Sequence, residues 1–282
     1  MLTDLVLFFM NQAITLIGYG EAGRTFARAG GWQARARVFD LLDLRRLYDE
    51  DDVRGYASLR QALLDSGCVI SVVTADQALP AAQDAAGKLA ADALFFDMNS
   101  VAPNTKRAAA QIINTAGGRY VDVAIMSPVN PAKTSVPLLI SGPHCDEGAK
   151  ALAELGFTNI RIVGDAIGRA ATIKMLRSVM YKGVEALTAE CLIACERAGV
   201  TDEVLGSFNN DWSAQADYRL DRMLVHGARR SAEMAEAVKT LEALGVEPLL
   251  TRGTVARQAA LGALNLESPP SGLDAKLKAI AK

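Results

Sequence analysis

The chain has 282 residues, which is enough for one large or two ordinary domains with a sizeable core. Half of its residues are hydrophobic, 22% are charged and the formal net charge is −2. This is a soluble globular composition with no global attraction for nucleic acid or an anionic membrane. Two histidines and four cysteines, without metal-ligand spacing, predict no metal site and favour reduced cysteines in a cytoplasmic protein.

The apolar N-terminal segment does not predict a targeting or membrane segment. The run "MLTDLVLFFM" is too short and too interrupted to span a bilayer, and it lacks the basic start and cleavage site of a signal peptide. Residues 1–9 are therefore treated as an appended or upstream-start tail, and the fold prediction begins at residue 10.

Short apolar runs alternate with alanine-rich helical segments from Ala13 to Asp165. Such runs predict strands covered on both faces, and helices between them are typical of a doubly wound parallel sheet. After "IRIVGD" the strand pattern stops, and helical segments follow, broken at "AGV", "LGVEP" and "ESPPSG". We therefore predict an α/β domain over residues 10–165 and an all-helical domain over residues 166–282. The predicted strands are AITLIG, ARVFD, CVISVVT, ALFFDM, RYVDVAIM and PLLISG.

The first predicted strand is followed by a glycine-rich turn and by a helix predicted over residues 21–29. Gly18, Gly20 and Gly23 form G-x-G-x-x-G, in which the glycines provide a tight turn, room for a pyrophosphate and close helix–strand packing. The helix N-terminus directs its N–H groups at the phosphates. The segment predicts a Rossmann-type dinucleotide site, with a purely structural turn as the alternative. Its candidate cofactor-binding residues are Gly18, Tyr19, Gly20, Glu21, Ala22 and Gly23.

The second predicted strand ends in an acidic residue that bears on the choice of cofactor. Asp40 lies 22 positions after Gly18, close to the roughly 20 expected of a ribose-binding carboxylate. Such a carboxylate favours NAD, because it binds the ribose hydroxyls and repels a 2′-phosphate. Arg45 and Arg46 follow closely and leave NADP open, since arginine pairs well with phosphate.

The segment "DAIGRAATIKMLRSVMYKGVEAL", residues 165–187, predicts one long helix with a lysine near its start. Lys174 shares a narrow face with Ser178, Tyr181 and Glu185. A short polar stripe on an otherwise apolar helix is typical of a helix that lines a cleft, and a plain solvated face is the alternative. The opposite side, which the pattern predicts to be buried, consists of Leu176, Met180, Val184 and Leu187.

Four stretches in this order, "GYGEAG", "VVTADQA", "DMNSVAP" and "GRAATIKMLRS", resemble the β-hydroxyacid dehydrogenase superfamily. That superfamily includes 6-phosphogluconate and 3-hydroxyisobutyrate dehydrogenases, and the chain is most similar to its phosphogluconate dehydrogenase-like branch with a divergent helical C-terminal domain. The resemblance covers almost the whole chain after Met10. It implies a Rossmann domain, a helical substrate and dimerisation domain, a nicotinamide cofactor and a small hydroxy-acid-type substrate.

The resemblance also implies cofactor and substrate contacts after two of the strands. In the family, the segment after the fourth strand contacts the cofactor, and the stretch that matches "DMNSVAP" lies near nicotinamide and substrate. The implied cofactor contacts are Val73, Thr74, Ala75, Asp76 and Asn99, and the implied substrate contact is Ser100.

The family's catalytic motif is a lysine followed four residues later by asparagine. Lys174 matches the lysine, and Ser178 stands at the asparagine position with a shorter reach and no amide. A lysine on a partly desolvated helix face can act as general acid/base, because desolvation lowers its pKa toward neutrality. A second departure follows Asp122, where the family often has a carboxylate-binding Ser-Gly-Gly. Here the sequence is "MSPVNP", which leaves Ser127 as the substrate-binding candidate.

Two later segments complete the prediction. "RMLVHGARRSAEM" falls where the family's helical domain closes over the nicotinamide, so His226, Arg229 and Arg230 are candidates to meet an acidic substrate or the cofactor. A solvated basic helix end is the alternative. The apolar "LTAECLIACERAGV" offers a partner face and predicts a homodimer or larger homo-oligomer.

These features predict an NAD(P)-dependent oxidoreductase that acts on a 3-hydroxy acid or related β-hydroxy compound, with Lys174 as general acid/base. One alternative is an imine reductase on the same scaffold, although imine reductases of this type carry other residues at the position of Lys174. The other alternative is a non-catalytic dinucleotide-binding module. No nucleic-acid or membrane partner is expected.

Overall fold

The computed structural model describes residues 13–208, 211–266 and 268–281. The chain divides into two compact units, one that ends at Lys174 and one that begins at Met175. The tail over residues 1–9 and the predicted domain start at residue 10 lie outside the described residues.

Within the described part of the first unit, eight strands form one sheet. The strands are β1 (Ile14–Ile17), β2 (Ala36–Phe39), β3 (Arg54–Gly55), β4 (Cys68–Ser71), β5 (Leu94–Asp97), β6 (Arg119–Ile125), β7 (Leu138–Ser141) and β8 (Ile160–Ile162). Their order is β3-β2-β1-β4-β5-β6-β7-β8, so the chain proceeds outward from β1 in both directions. This is the doubly wound arrangement that the alternating pattern predicts. Every residue of β1, β4, β5 and β7 is buried, which explains their continuous apolar sequences.

Helices of the first unit cover both faces of the sheet. They are α1 (Glu21–Ala29), α2 (Arg45–Glu50), α3 (Leu59–Leu63), α4 (Ala78–Ala86), α5 (Pro103–Thr115) and α6 (Cys145–Glu154). One core joins Leu16 to Phe26 of α1 and Leu152 of α6. A second core joins Val69 to Ile113 of α5 on the other face. Successive strand residues enter opposite cores because side chains alternate along a strand.

The sequence predicts a parallel sheet, but one pair of strands differs. β6 and β7 are antiparallel. The segment between them, residues 126–137, contains a short 3-10 turn (Lys133–Ser135) instead of a helix. A parallel pair needs a crossover, usually helical, to return the chain to the same edge. The other neighbouring strands are parallel.

A long helix, α7 (Arg169–Ala198), carries the division between the two units. The sequence predicts its start at residue 165, but Gly168 has a φ of 91°, in the left-handed region that favours glycine. The helix therefore begins at Arg169, directly after Gly168. The described remainder is helical, as predicted, and none of its helices is long and apolar enough to cross a membrane. The further helices are α8 (Thr201–Gly206), α9 (Trp212–Ala243), α10 (Leu249–Gly262) and α11 (Leu273–Ile280).

The buried side of α7 is not the one that its apolar pattern predicts. Leu176, Met180 and Leu187 are 40%, 67% and 67% exposed, whereas Lys182 and Glu185 are each 7% exposed. The pattern assumes that charged residues stay in water, and this assumption fails where buried charges have partners. The expected buried leucine face is therefore a surface row of apolar side chains.

Helices α9 and α10 approach each other at a pair of glycines. A Cβ built at Gly227 would lie 2.6 Å from the backbone nitrogen of Gly262 and would also collide with the backbone oxygen of Gln258. A Cβ at Gly262 would lie 2.7 Å from the carbonyl carbon of Gly227. The two backbones therefore touch directly, and neither position has room for a side chain.

Replacing Gly227 by alanine should destabilise the second unit, because the added methyl would push apart two backbones that cannot yield as a flexible side chain would. We expect a loss of about 1–3 kcal/mol, typical of overpacking, measured as a lower Tm and a lower denaturant midpoint. Gly253→Ala is the matched control, since a Cβ there meets nothing within 4 Å. It should be neutral or stabilising, by up to about 1 kcal/mol. Equal effects of the two variants would contradict the close helix crossing.

Candidate active site

The glycine-rich turn connects β1 to α1. Gly18 has a φ of 97°, and a Cβ there would lie 2.5 Å from the backbone oxygen of Val72. A Cβ at Gly23 would lie 2.5 Å from the backbone oxygen of Gly18, whereas at Gly20 it would meet no protein atom within 4 Å. The first and third glycines thus allow tight packing, and the second leaves the backbone open to a ligand. This geometry fits the pyrophosphate of a dinucleotide.

The N-terminus of α1 adds hydrogen-bond donors to this turn. Gly20 is the N-cap residue and provides no side-chain acceptor for the first N–H groups of the helix. Those groups belong to the predicted residues Glu21, Ala22 and Gly23, and the helix dipole makes this end attractive to an anion. The side chain of Glu21 is exposed, and Ala22 is half-buried.

Asp40 is held beside the turn by two backbone hydrogen bonds. Its Oδ2 accepts from the N–H of Tyr19 at 2.7 Å, and its Oδ1 accepts from the N–H of Leu42 at 2.9 Å. Each carboxylate oxygen can accept a further bond. The carboxylate is therefore oriented next to the glycine turn with capacity left for ribose hydroxyls.

The ring of Tyr19 is buried, so only the main chain of this residue is available to a ligand at the turn. The ring packs edge-on against Tyr48, with 5.3 Å between centroids, and its hydroxyl donates to Asp51 at 3.0 Å. Burial and this hydrogen bond raise the pKa of Tyr19 well above its usual value. Burial opposes ionisation of Asp51, but hydrogen bonds from Arg24 and Tyr19 outweigh it and lower the pKa of that carboxyl.

Arg45 and Arg46, which are candidates to bind the 2′-phosphate of NADP, are both paired with acidic neighbours. Arg45 lies 2.5 Å from Asp43, and Arg46 lies 3.1 Å from Glu50. The hydrogen bonds from Arg45 lower the pKa of Asp43 to about 2. Exposed pairs of this kind are weak, so a phosphate can compete for either arginine.

Asn99 holds the loop that follows β4. Its Oδ1 accepts from the N–H of Val73 at 2.6 Å, and its Nδ2 donates to Ser71 Oγ at 3.0 Å. The structure thus brings together two segments predicted to contact the cofactor, but the buried amide of Asn99 is used to fix the loop. The other residues of this predicted segment are Thr74 and Asp76, both exposed, and the half-buried Ala75.

Ser100 and Ser127 follow neighbouring strands. The Oγ of Ser100 is buried with no hydrogen-bond partner in the described residues, which is unusual for a buried hydroxyl and fits a ligand contact. Ser127 is half-buried and donates to the backbone oxygen of Pro128 at 3.3 Å. Because β1, β4, β5 and β6 are parallel, both serines lie at the sheet edge that carries the glycine turn.

A row of polar residues crosses the interior of the sheet, and the sequence analysis missed it. Ser71, Asp97, Asp122 and Ser141 are register neighbours on β4 to β7, and none is more than 1% exposed. The buried Lys106 of α5 lies 2.8 Å from Asp97 Oδ1 and 3.5 Å from Asp122 Oδ1. Two carboxylates therefore share one ammonium group. The available signal was an acidic residue inside each of two apolar strands, "LFFD" and "YVDV".

The Asp97 end of this row is tied to the Asn99 loop. Asp97 Oδ1 accepts from the N–H of Asn99 at 3.0 Å, and its Oδ2 accepts from the hydroxyl of Tyr120 at 2.7 Å. Burial and the nearby charge of Asp97 raise the pKa of Tyr120 well above its usual value. Tyr120 thus stays a neutral donor in the interior.

The Asp122 end of the row binds the start of α7. Asp122 Oδ2 accepts from Ser141 Oγ at 3.0 Å and from the N–H groups of Gly168 and Ala171 at 3.1 and 3.3 Å. Ser141 Oγ in turn accepts from the N–H of Ala170 at 3.0 Å. A carboxylate at this position complements the positive end of the helix dipole.

Lys174 and Ser178 lie about one turn apart on α7, and both are half-buried. Lys174 is the last residue of the first unit, so it belongs to the same unit as the glycine turn and the polar row. Ser178 belongs to the second unit.

The buried charges of α7 are compensated within the second unit. Glu185 forms an ion pair with Arg230 and accepts from Gln258 Nε2 at 3.0 Å. Lys182 pairs with Glu233, while burial lowers the pKa of this lysine. The predicted substrate ligand Arg230 therefore has a carboxylate partner of its own.

His226, the other predicted substrate contact of this region, is half-buried on α9, about one turn before Arg230. Among the described residues, no group of three or more histidine, cysteine or acidic side chains is placed to hold a metal ion.

The second unit and the chain as a whole have relatives without an assigned function. Residues 195–261 match a family described as a domain of unknown function, DUF1932. The uncharacterized 28.5 kDa protein in the 7S RNA 5′ region of Methanothermus fervidus is 27% identical over 250 residues, which cover 86% of this chain and 95% of that protein.

Two solved structures are similar over almost the whole chain. A conserved hypothetical protein from Sinorhizobium meliloti 1021 is 36% identical, with a TM-score of 0.74 and coverage of 98% of both chains. The conserved protein MTH1747, described as structurally similar to 3-hydroxyacid dehydrogenases, is 30% identical, with a TM-score of 0.68 and coverage of 90% of this chain and 98% of that one. The fold defines a Rossmann-type α/β protein with a helical second unit. Within that class, the chain belongs to the β-hydroxyacid dehydrogenase superfamily.

More distant structures share the fold. The 3-hydroxyisobutyrate dehydrogenase of Mycobacterium tuberculosis, solved with L-serine, is 16% identical, with a TM-score of 0.71 and coverage of 96% and 98% of the two chains. An imine reductase from Streptomyces aurantiacus is 19% identical (TM-score 0.52; 96% and 100%). A reductive aminase from Aspergillus terreus in complex with NADPH is 18% identical (TM-score 0.55; 96% and 99%).

Proposed function

We propose that the protein is an NAD(P)-dependent oxidoreductase that moves a hydride between the nicotinamide and a 3-hydroxy acid or related β-hydroxy compound. The observation that carries this proposal is the turn in which Gly20 is open to a ligand while Gly18 and Gly23 are closely packed. Asp40 beside the turn and Lys174 in the same unit support it, and so does membership of the β-hydroxyacid dehydrogenase superfamily.

Lys174 is the proposed general acid/base. The bound nicotinamide supplies the acceptor for the hydride that leaves the alcohol carbon. A neutral Lys174 amine takes the hydroxyl proton in the same reaction, which leaves a carbonyl compound and an ammonium group, and the reverse reaction returns that proton. A lysine suits this role when partial burial disfavours its charged form.

The substrate-binding part of the proposal rests on fewer contacts. Ser100 brings a buried hydroxyl without a partner, and Ser127 replaces the serine of the carboxylate-binding motif one position late. Ser178 is proposed to position the substrate or the lysine. Arg230 and His226 are proposed to meet an acidic group of the substrate, for which Arg230 must share its charge with Glu185.

An imine reductase and a non-catalytic dinucleotide-binding module are the alternatives. The imine reductase and the reductive aminase of this fold favour the first, and Lys174 argues against it. A panel of 3-hydroxypropionate, 3-hydroxyisobutyrate, 3-hydroxybutyrate, serine and cyclic imines, tested with both cofactors, separates the three. Oxidation of a hydroxy acid supports the proposal, reduction of an imine alone supports the first alternative, and binding without turnover supports the second.

NAD should bind more tightly than NADP, because the oriented carboxylate of Asp40 repels a 2′-phosphate. Asp40→Ala should narrow the difference in affinity by weakening NAD binding and relieving that repulsion. Titration of both cofactors into wild type and variant, followed by calorimetry, measures this. Asp84→Ala is the control, because Asp84 is exposed on α4 and pairs with Lys88, outside the hydrogen bonds around the turn and away from Arg45 and Arg46. Clearly tighter binding of NADP to the wild type would overturn the preference.

Lys174→Ala should lower kcat by about 10²–10⁴-fold, the range for loss of a general acid/base. The Kd for NAD and the fold should be nearly unchanged, and the limb of the pH–rate profile that comes from the lysine should disappear. Lys174→Arg should not restore the rate, because a guanidinium stays protonated and cannot accept the proton. Ser178→Ala should cost less.

Lys182→Ala is unsuitable as a control because Lys182 is buried and paired, so the matched control is the exposed Lys150→Ala in α6. Its kcat should equal that of the wild type. Retention of more than about half of the wild-type rate in Lys174→Ala would make the acid/base assignment wrong, since a loss of 10²-fold is the lower end expected.

We also propose that the protein is a homodimer, and the exposed apolar row Leu176, Met180 and Leu187 supports a buried interface. Light scattering at micromolar concentration should give twice the mass of the chain, and Leu187→Glu should reduce it to the mass of a monomer. Arg177→Glu, on the same helix outside this row, is the charge-change control. A monomeric wild type would contradict the proposal.

A further inference from the structure

The buried Lys106, Asp97 and Asp122 are charged groups to which the proposed reaction gives no role. They are ordered by many hydrogen bonds, and one end of their network reaches the turn of helix that precedes Lys174. Desolvating three charges is costly unless each is well paired. Apolar residues at these positions would avoid this desolvation cost. We therefore ask which parts of the protein the network positions.

The charges in this network do not cancel by themselves. Two carboxylates face one ammonium group, and Lys106 lies closer to Asp97, at 2.8 Å, than to Asp122, at 3.5 Å. Asp122 therefore forms the longer of the two ion pairs, and its Oδ1 has no hydrogen-bond partner among the described residues. Its Oδ2 points at the N–H groups of Gly168 and Ala171, where the helix dipole provides a partial positive charge.

Ser141 completes the attachment from the neighbouring strand. Its hydroxyl donates to Asp122 and accepts from the N–H of Ala170. Three backbone N–H groups at the start of α7 are thus bound by two side chains from adjacent strands. Fixing Ala170 and Ala171 in this way also fixes the helical turn from which Lys174 projects, since those residues lie four and three positions before it.

We propose that Asp122 and Ser141 are positioning residues that hold Lys174 in the geometry its proton transfer needs. This inference rests on the proposed role of Lys174. Asp122 and Ser141 belong to buried strands of the sheet, and the hydrogen bonds that they accept from backbone N–H groups hold the first turn of α7 in one orientation. The other end of the network binds Asn99, which holds the loop after β4. The same buried row therefore positions both Lys174 and the loop that is predicted to contact the cofactor.

The test compares Ser141→Ala and Asp122→Asn with Ser66→Ala. Ser66 is an equally buried serine that hydrogen-bonds backbone oxygens of Ala13 and Cys68, away from the polar row. The substrate is the compound of the panel above that the wild type oxidises fastest. Ser141→Ala and Asp122→Asn should lower kcat by up to about 100-fold, because small misplacements of a catalytic group are that costly. KM and the Kd for NAD should stay within about twofold, and Ser66→Ala should lose Tm but not kcat.

A double-variant cycle with Lys174→Ala gives the readout that a merely structural role would not produce. If Ser141 acts through Lys174, adding Ser141→Ala to Lys174→Ala should cause no further loss of kcat. Losses that multiply, or equal kcat effects of Ser141→Ala and Ser66→Ala, would overturn the positioning role.

Hydrogen exchange separates this inference from the proposed function. The amides of Gly168, Ala170 and Ala171 should exchange faster in Ser141→Ala and Asp122→Asn than in Ser66→Ala, whatever the substrate. If Lys174→Ala kept the wild-type rate, or if no panel compound were oxidised, the proposed function would fail, while exchange would still decide whether the two residues anchor the helix. Unchanged exchange in both variants would refute the anchoring itself.

Discussion

Two carboxylates on adjacent buried strands share one buried lysine, and this arrangement constrains much of the first unit. Lys106, Asp97 and Asp122 are all 1% exposed or less, so none of them can rely on water for solvation. Each must find its partners in the protein at fixed distances. Asp97 binds the loop of Asn99, and Asp122 binds the start of α7. One electrostatic requirement thereby fixes two segments that are far apart in sequence.

The direction of β7 matters to this network. Because β7 runs antiparallel to β6, its last residue, Ser141, lies opposite Asp122. The hydroxyl then reaches both the carboxylate and the N–H of Ala170. The departure from a fully parallel sheet therefore places a hydrogen-bonding group where α7 begins. The glycine turn lies at the same edge of the sheet, because Ile17, the residue before it, is the register neighbour of Ser71. There Gly18 and Gly23 bring α1 close to β1 and leave Gly20 accessible.

The second unit is held together differently. Its buried charges are satisfied in pairs, as with Glu185 and Arg230, and α9 and α10 meet backbone to backbone at Gly227 and Gly262. Burial of these polar groups leaves apolar residues of α7 at the surface, of which Leu187 is an example. Part of the polar stripe of α7 is therefore buried inside the second unit. Glu185 belongs to this part, because its carboxylate pairs with Arg230.

Features that depend on neighbours in sequence were predictable. The six predicted strands followed from short apolar runs, and the turn followed from glycines whose positions require a positive φ or the absence of a side chain. The two-residue β3 was not predicted, because both of its residues are exposed and it has no apolar run. Even the breaks between helices coincided with glycine and proline, as at Gly199 and Gly245. The predicted helix start at residue 165 was wrong because Gly168 has a positive φ, and its N–H donates to Asp122, which is distant in sequence.

The class of fold and the glycine turn beside Asp40 were predictable from the chain alone, because local periodicity and backbone sterics set these features. Lys174 became a candidate only through its match to the lysine of the family's catalytic motif, and its role stays a prediction. The direction of β7, the buried side of α7 and the partners of Asp97 and Asp122 emerge only in the folded chain. Those depend on which distant groups satisfy a buried charge. A hydrophobic pattern carries no information about such pairing, because it treats every charged residue as if it remained in water.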